Sequence, residues 1–272
     1  MRKVQVLCTT MHQKDFSLLK KMNINSDVVF ANQSDETRYD ELEFEGGIAK
    51  MITTSTRGVG INRNLTLMYA NDDVCLLADD DLEYVDNYVD VVNKAFDECP
   101  DADAIVFNAT PVGGDETRIE NTSYNSTIKR VRFYNCLKYA THRICIKSDV
   151  VKMENIYFHR NFGGGAIYSA GEDTLFIWDL VKKGLKIYTY PATIATVHQE
   201  TSSWFEGYNE KLLFDNGVLF RALSKRFAKL LCLQSLIRHP YTYKSTGLTF
   251  CQAYNLMKKG IKAYKSQGVF HK

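Results

Sequence analysis

Val74-Cys75-Leu76-Leu77-Ala78-Asp79-Asp80-Asp81 is an unbroken apolar run that stops on three consecutive carboxylates. A short run of this kind reads as a strand buried on both faces. Three like charges side by side are costly unless a cation sits among them. Carboxylate oxygens are hard ligands that suit Mg²⁺ or Mn²⁺, ions that commonly bridge one or two protein carboxylates to substrate phosphates. The plain alternative is a solvated turn, since Asp is a frequent turn and cap residue. A helix-loop-helix calcium site is not indicated, because the spaced ligands and central glycine are missing.

Outward from this strand the chain alternates. Lys3 to Cys8 and Asp27 to Ala31 read as strands, and the apolar spacing of Phe16, Leu18, Leu19 and Met22 between them is helical, which makes a βαβ opening. Ala49 to Thr54 is a third strand, followed by a turn at Arg57-Gly58-Val59-Gly60 and a helix carrying Ile61, Leu65 and Met68. Downstream, Asp86 is placed to cap a helix with Val89, Val92 and Phe96 on its apolar face, ended by Pro100, and Ala104 to Asn108 returns as a strand. Residues 111–128 are loop-like, and Arg130 to Tyr134 and Thr141 to Ile146 read as strands. After Gly163-Gly164-Gly165, Glu172-Asp173 opens a helix that ends at Gly184, then the strand Leu185 to Tyr190 closes at Pro191. A long helical pattern runs from about Asn209 to His239. Such alternation predicts an α/β fold, a mostly parallel sheet flanked by helices, with ligands bound beyond the carboxyl ends of the strands. Asp79, Asp80 and Asp81 lie at such an end.

With 272 residues, 45% of them hydrophobic, the chain has ample material for a core. The seven cysteines are scattered, with no Cys-x-x-Cys pair, so neither a zinc site nor a disulfide framework is indicated. Val4 to Cys8 is too short for a signal-peptide core, and no window reaches the ~20 apolar residues that span a bilayer, so the expected location is the cytoplasm. The net charge of +2 conceals an asymmetry. Val218 to Lys272 holds eleven Lys or Arg and no Asp or Glu, so the first 217 residues carry 23 of the 34 basic residues against all 32 acidic ones, a net of −9. A basic tail on an acidic body suits an anionic surface. Peripheral attachment to the inner face of the plasma membrane through an amphipathic helix is one expectation, and a helix packed on the body with a solvated basic face is the other. The acidic body argues against nucleic acid as a partner.

The order of Val4 to Thr10, Val28 to Asp35, Gly60-Ile61-Asn62-Arg63-Asn64, the Leu76 to Asp81 strand and Gly171-Glu172-Asp173 resembles the family 2 glycosyltransferases of the GT-A fold, especially bacterial enzymes that build capsule, O-antigen or exopolysaccharide repeat units. The resemblance spans about residues 3–200 and implies a transferase domain over 1–208 with a helical basic extension over 209–272. It implies an inverting, Mn²⁺- or Mg²⁺-dependent enzyme, a hexosyltransferase, moving sugar from a nucleotide-sugar donor, UDP-linked, to a glycan or polyprenyl-diphosphate-linked acceptor. By resemblance Thr9 and Thr10 line the nucleotide pocket, Asn32 faces the base, and Asp35, Arg57, Arg63, Asp79 and Asp80 complete the nucleotide contacts. Asn32 stands where many relatives carry an acid, although its oxygen can still accept from a uracil or thymine N–H. Asp79 and Asp81 become the ends of an Asp-x-Asp metal signature, joined by His198. Asp173, beside Glu172, becomes the base that deprotonates the acceptor hydroxyl. An acid in a first helical turn also serves the helix dipole. Trp204, Phe205 and Tyr208 could form an apolar platform or simply core. Two other readings are a non-catalytic nucleotide-sugar or glycan-binding module on the same fold, and a sugar-phosphate nucleotidyltransferase. The latter calls for a glycine-rich phosphate loop, which Thr9 to Lys14 lacks.

Overall fold

The computed structural model describes residues 1–113, 123–198 and 207–266. The strands are β1 (Val4–Met11), β2 (Asp27–Gln33), β3 (Arg38–Phe44), β4 (Gly47–Thr54), β5 (Val74–Asp79), β6 (Leu82–Tyr84), β7 (Ala104–Val112), β8 (Lys129–Arg130), β9 (Ile144–Lys147) and β10 (Ile187–His198). They form one sheet in the order β3-β4-β2-β1-β5-β9-β7-β10-β6, with β8 pairing to β10. β1, β2, β4, β5, β7 and β10 all point one way, and the opposed strands are β9 in the interior and β3, β6 and β8 at the margins.

The apolar run of β5 needs no alternation because both faces are covered. Leu76 and Ala78 join the cluster containing Val6, Phe30, Tyr88, Val92 and Phe96. Cys75 and Leu77 join the opposite one, with Leu7, Val29, Phe176 and Leu180. The first face is covered by α1 (Leu18–Lys21) and α3 (Tyr88–Glu98), the second by α2 (Val59–Met68) and α5 (Glu172–Lys182), with the short α4 (Ser148–Met153) beside them. By the same alternation Asp79 turns toward α2 and α5.

Several expected boundaries shift, each for a local reason. The strand β3 pairs antiparallel with β4 and exposes most of one face, so its charged residues hid it from an apolar reading. Of the strand expected over Arg130 to Tyr134 only Arg130 remains, in the two-residue β8, because Arg132 N–H bonds the Asn135 side chain at 2.8 Å and turns the chain. Pro191 does not close its strand: β10 continues to His198, and the register slips against β7 between Thr189 and Thr193, which accommodates a residue without an N–H. Asp86 is not the cap of α3; it accepts from Asn23 Nδ2 at 2.8 Å. Trp204 and Phe205 lie outside the described residues.

The long helical pattern expected from about Asn209 to His239 is two helices. α6 (Glu210–Leu223) and α7 (Ala228–Arg238) are separated by a bend at Ser224, and α9 (Phe250–Ser266) returns across them after the single turn α8 (Tyr241–Lys244). α6 and α9 approach so closely that their glycines are obligatory. A Cβ on Gly217 would lie 2.0 Å from the Met257 carbonyl oxygen, and one on Gly260 would lie 2.1 Å from that of Phe214. In an open helix Gly→Ala stabilises by about 1 kcal/mol. Here Gly217→Ala and Gly260→Ala are expected to destabilise by about 1–3 kcal/mol through overpacking against backbone, read as a lowered urea midpoint with unchanged slope.

Candidate active site

The carboxyl ends of β1 and β5 and the first turns of α2 and α5 converge on one side chain, Arg63. It is 7% exposed. Its neighbours in sequence aim it. Asn62 donates to the carbonyls of Ala31 at 2.7 Å and Thr10 at 3.3 Å, pinning α2 to the ends of β1 and β2. Asn64 donates to Phe158 O at 2.8 Å and accepts from Phe158 N–H at 2.7 Å. That bond pair holds the Phe158 ring 5.2 Å from the guanidinium carbon of Arg63, and the ring stacks on Phe176 of α5 at 4.1 Å.

Held there, Arg63 donates from Nη2 to both oxygens of Asp79 at 3.0 Å and from Nη1 to Glu172 Oε1 at 3.2 Å and to Asp173 Oδ1. Burial alone would lower its pKa, but Asp173, Asp79 and Glu172 outweigh that and the net shift is upward, so the cation is permanent. Asp79 also accepts from the Thr9 hydroxyl at 2.9 Å. Burial pushes Asp79 up, Arg63 and His142 more than offset it, and its carboxyl falls below the usual range. Asp173 is gripped at both oxygens by Thr141, from Oγ1 at 2.8 Å and from N–H at 3.2 Å. Glu172 is placed differently. A Cβ on Gly163 would come within 2.6 Å of the Glu172 carboxyl, so the first glycine of the loop makes room for that acid. Burial and the adjacent Asp173 raise Glu172 to about 7 against the pull of Arg63.

The other two acids of the triplet have weaker support. Asp80 accepts from the Thr10 hydroxyl, and Lys21 Nζ reaches the Asp80 carbonyl at 3.1 Å. Asp81 forms no salt bridge among the described residues, and burial with Asp79 and Asp80 beside it pushes its carboxyl up to about 6. The strand end thus carries more negative charge than Arg63 and Lys21 neutralise. The described residues contain no group of three or more His, Cys, Asp or Glu side chains able to hold a metal ion. The donor set still fits a hard divalent ion that takes one or two carboxylates from protein and the rest from phosphate and water. Asp79 is engaged by Arg63 and Thr9, whereas Asp81 forms no salt bridge among the described residues.

Other expected site residues are placed otherwise. Asn32 is completely buried and does not face an open pocket. Its carboxamide bonds the backbone N–H and carbonyl of Gln13 at 3.0 and 2.9 Å and the Thr53 hydroxyl at 3.1 Å, clamping the loop after β1. Arg57 pairs with Asp35 and donates to the carbonyls of Ser34 and Ser55 at 2.7 and 3.0 Å, an exposed tie on the rim. His198 reaches the triplet through its backbone N–H, which donates to Asp81 O at 2.8 Å, while its ring lies 2.9 Å from Glu83. Sequence reasoning missed Thr141 and His142. His142 has its pKa lowered by burial, opposed by Asp79 and Asp173. A His within a strand-like stretch gave no signal for this.

Glu172 supplies a test of these electrostatics. The folded protein keeps its proton up to about pH 7, whereas an ordinary Glu releases it near 4.5, so this group favours the native state at low pH and that advantage is lost as pH rises through this window. Glu172→Gln is expected to gain stability over the parent by up to about 3 kcal/mol between pH 5 and pH 8. Melting temperatures at both pH values check it; a difference that does not change with pH would refute it.

The description "glycosyl transferase family 2" is that of the family model matching residues 17–154, a span that includes Arg63 and the acidic triplet. Among solved structures, S. aureus TarS 1-349 in complex with UDP-GlcNAc aligns with a TM-score of 0.62 at 13% identity, covering 99% of this chain and 93% of that one. The same fragment in complex with UDP gives 0.60 at 13% identity over the same shares. The longer S. aureus TarS structure gives 0.61 at 15% identity, with 87% of this chain and 43% of that one covered. At such identities the likeness is one of fold. A comparison with curated proteins finds no match.

Proposed function

The chain belongs to glycosyl transferase family 2, and from that premise we propose that it transfers a hexose, with inversion, from a UDP-linked donor to a hydroxyl of a surface-polysaccharide or polyprenyl-diphosphate-linked glycan. The observation that carries this reading is the single buried guanidinium of Arg63 holding Asp79, at the strand end, and Glu172 and Asp173, at a helix start, in one hydrogen-bonded group. Donor and acceptor chemistry would then meet across about one side chain.

Thr9, Thr10 and Arg63 would border the nucleotide, with Arg57 and Asp35 on the rim. Asp81, with Asp80 beside it, would hold Mn²⁺ or Mg²⁺. A bound divalent ion supplies positive charge to the diphosphate as it leaves. UDP is favoured over other nucleotides because the fold relative TarS 1-349 is seen with UDP-GlcNAc and with UDP. Asp173 would take the proton from the acceptor hydroxyl. It is the more exposed of the two helix-start acids, at 26% against 14% for Glu172, and Thr141 fixes both its oxygens. A base so supported is correctly turned, which matters for a proton moved as the new bond forms. Glu172, the less exposed of the pair and raised to about 7, would stand beside Asp173. Residues 1–208 would carry this chemistry and 209–272 would seat the enzyme.

Thermal denaturation with UDP, GDP, CMP and dTDP, each with and without Mn²⁺, tests the donor side. UDP is expected to stabilise only with metal, by about 2.7 kcal/mol at a hundredfold excess over Kd, and Asp81→Ala should abolish the gain. Stabilisation by UDP without metal, or by none of the four, would refute it. For the acceptor side, Asp173→Asn is expected to keep the UDP–Mn²⁺ stabilisation while kcat falls about 10²–10⁴-fold. Unimpaired turnover in that variant would remove Asp173 as the base.

A further inference from the structure

The helix α7 has two faces of unexpected character. Inward, Ala228, Cys232 and Leu236 are buried against Ala253, Met257 and Ile261 of α9. Outward, where a surface helix ordinarily carries charge, stand Phe227, Leu230 and Ile237, 54%, 59% and 64% exposed, with Tyr241 of α8 continuing the line at 52%. The spacing of three and seven puts Phe227, Leu230 and Ile237 on one ridge of α7, and Tyr241 stands exposed just beyond the break at His239. Basic residues border it at both ends: Lys225, Arg226 and Lys229 around the start of α7, Arg238 at its close and Lys244 at the end of α8, all exposed. Arg226 lies 5.8 Å from the centroid of the Phe227 ring. No acid occurs anywhere from Val218 onward.

We propose that this ridge of α7 and α8 is a membrane-seating face, with Phe227, Leu230, Ile237 and Tyr241 entering the headgroup region of an anionic bilayer and the bordering Lys and Arg residues bonding its phosphates. Charge complementarity selects the occupant. Eleven basic residues and no acidic ones over 218–272 repel a second copy of the same face and match an anionic surface, while the −9 body keeps the rest of the molecule off it. Shape agrees, because apolar side chains projecting from a ridge with cations around them suit a fluid interface, where basic stems extend toward phosphates as apolar tips sink. The attachment is interfacial: among the described residues no helix is long and apolar enough to cross a membrane. The inference stands apart from the transfer reading, since vesicle binding needs neither donor nor turnover, and it gives a soluble body access to acceptors that reside at a bilayer.

Co-sedimentation of the full chain with vesicles of phosphatidylcholine alone, and of phosphatidylcholine and phosphatidylglycerol in equal parts, tests it. Binding is expected on the anionic vesicles at low salt, weaker on the neutral ones, and reduced as salt screens the cations. The double variant Leu230→Glu/Ile237→Glu should lose about tenfold or more in affinity with an unchanged melting temperature, because both side chains are already in water. Arg226→Gln/Lys229→Gln/Arg238→Gln provides an independent loss of binding should the first variant fold poorly. Absence of wild-type binding to anionic vesicles at low salt would overturn the proposal. So would retention of binding by both variants, or a dimer in solution that the Glu variant converts to monomer, which would assign the face to a second copy.

Discussion

Arg63 is a permanent cation in a place nearly without water, and a buried charge is tolerated only where partners replace its hydration. Asp79, Glu172 and Asp173 replace it. They arrive from the end of a central strand and the start of a helix more than ninety positions later in the chain, so the ion group also fixes how α5 sits on the sheet. The supporting elements follow from that requirement. Asn62 ties α2 to the sheet, Asn64 ties it to Phe158, and the Phe158–Phe176 stack carries α5 up to the guanidinium. A lysine would offer one point charge where two nitrogens of a planar fork now serve three acids.

The site is nevertheless acidic in sum, and its acids differ in what supports each. Asp79 is held ionised by Arg63, Asp81 is pushed up to about 6 by burial and by Asp79 and Asp80 beside it, and Glu172 reaches about 7 because burial and Asp173 outweigh Arg63. A glycosyltransferase has to bring a diphosphate beside such a group, which is unfavourable without a further cation. The surplus of negative charge at the strand end supports the proposal that a divalent metal and the donor are held there together.

The C-terminal helices are joined to the site's scaffold. Leu219 and Val218 of α6 share an apolar cluster with Leu175 of α5, and Asp215 accepts from Ser169 and from Lys211 just ahead of the Glu172 turn. Gly217 and Gly260 let α9 close onto α6 at backbone contact, and that compact pair leaves α7 outermost, with its apolar ridge turned away from the core.

The α/β alternation, the strand that ends on Asp79 to Asp81, the helix opened by Glu172 and the division into acidic body and basic tail were all legible in the sequence, because each depends on local periodicity or on a count. The partners of the side chains were not. Arg63 meets Asp173 across 110 positions, Thr141 meets it across 32, and nothing in the spacing of those residues announces either bond. Asn32 turns inward and His198 presents its backbone to Asp81, where sequence order alone had both reaching into the site. The antiparallel insertion of β9 and the polar strand β3 were hidden for a related reason: strand direction and neighbour choice are set by which edges meet in space. Residue types and their order determined what chemistry the chain could carry; only the tertiary structure decided which acids share the buried Arg63 guanidinium, because those partners meet in space and not in sequence.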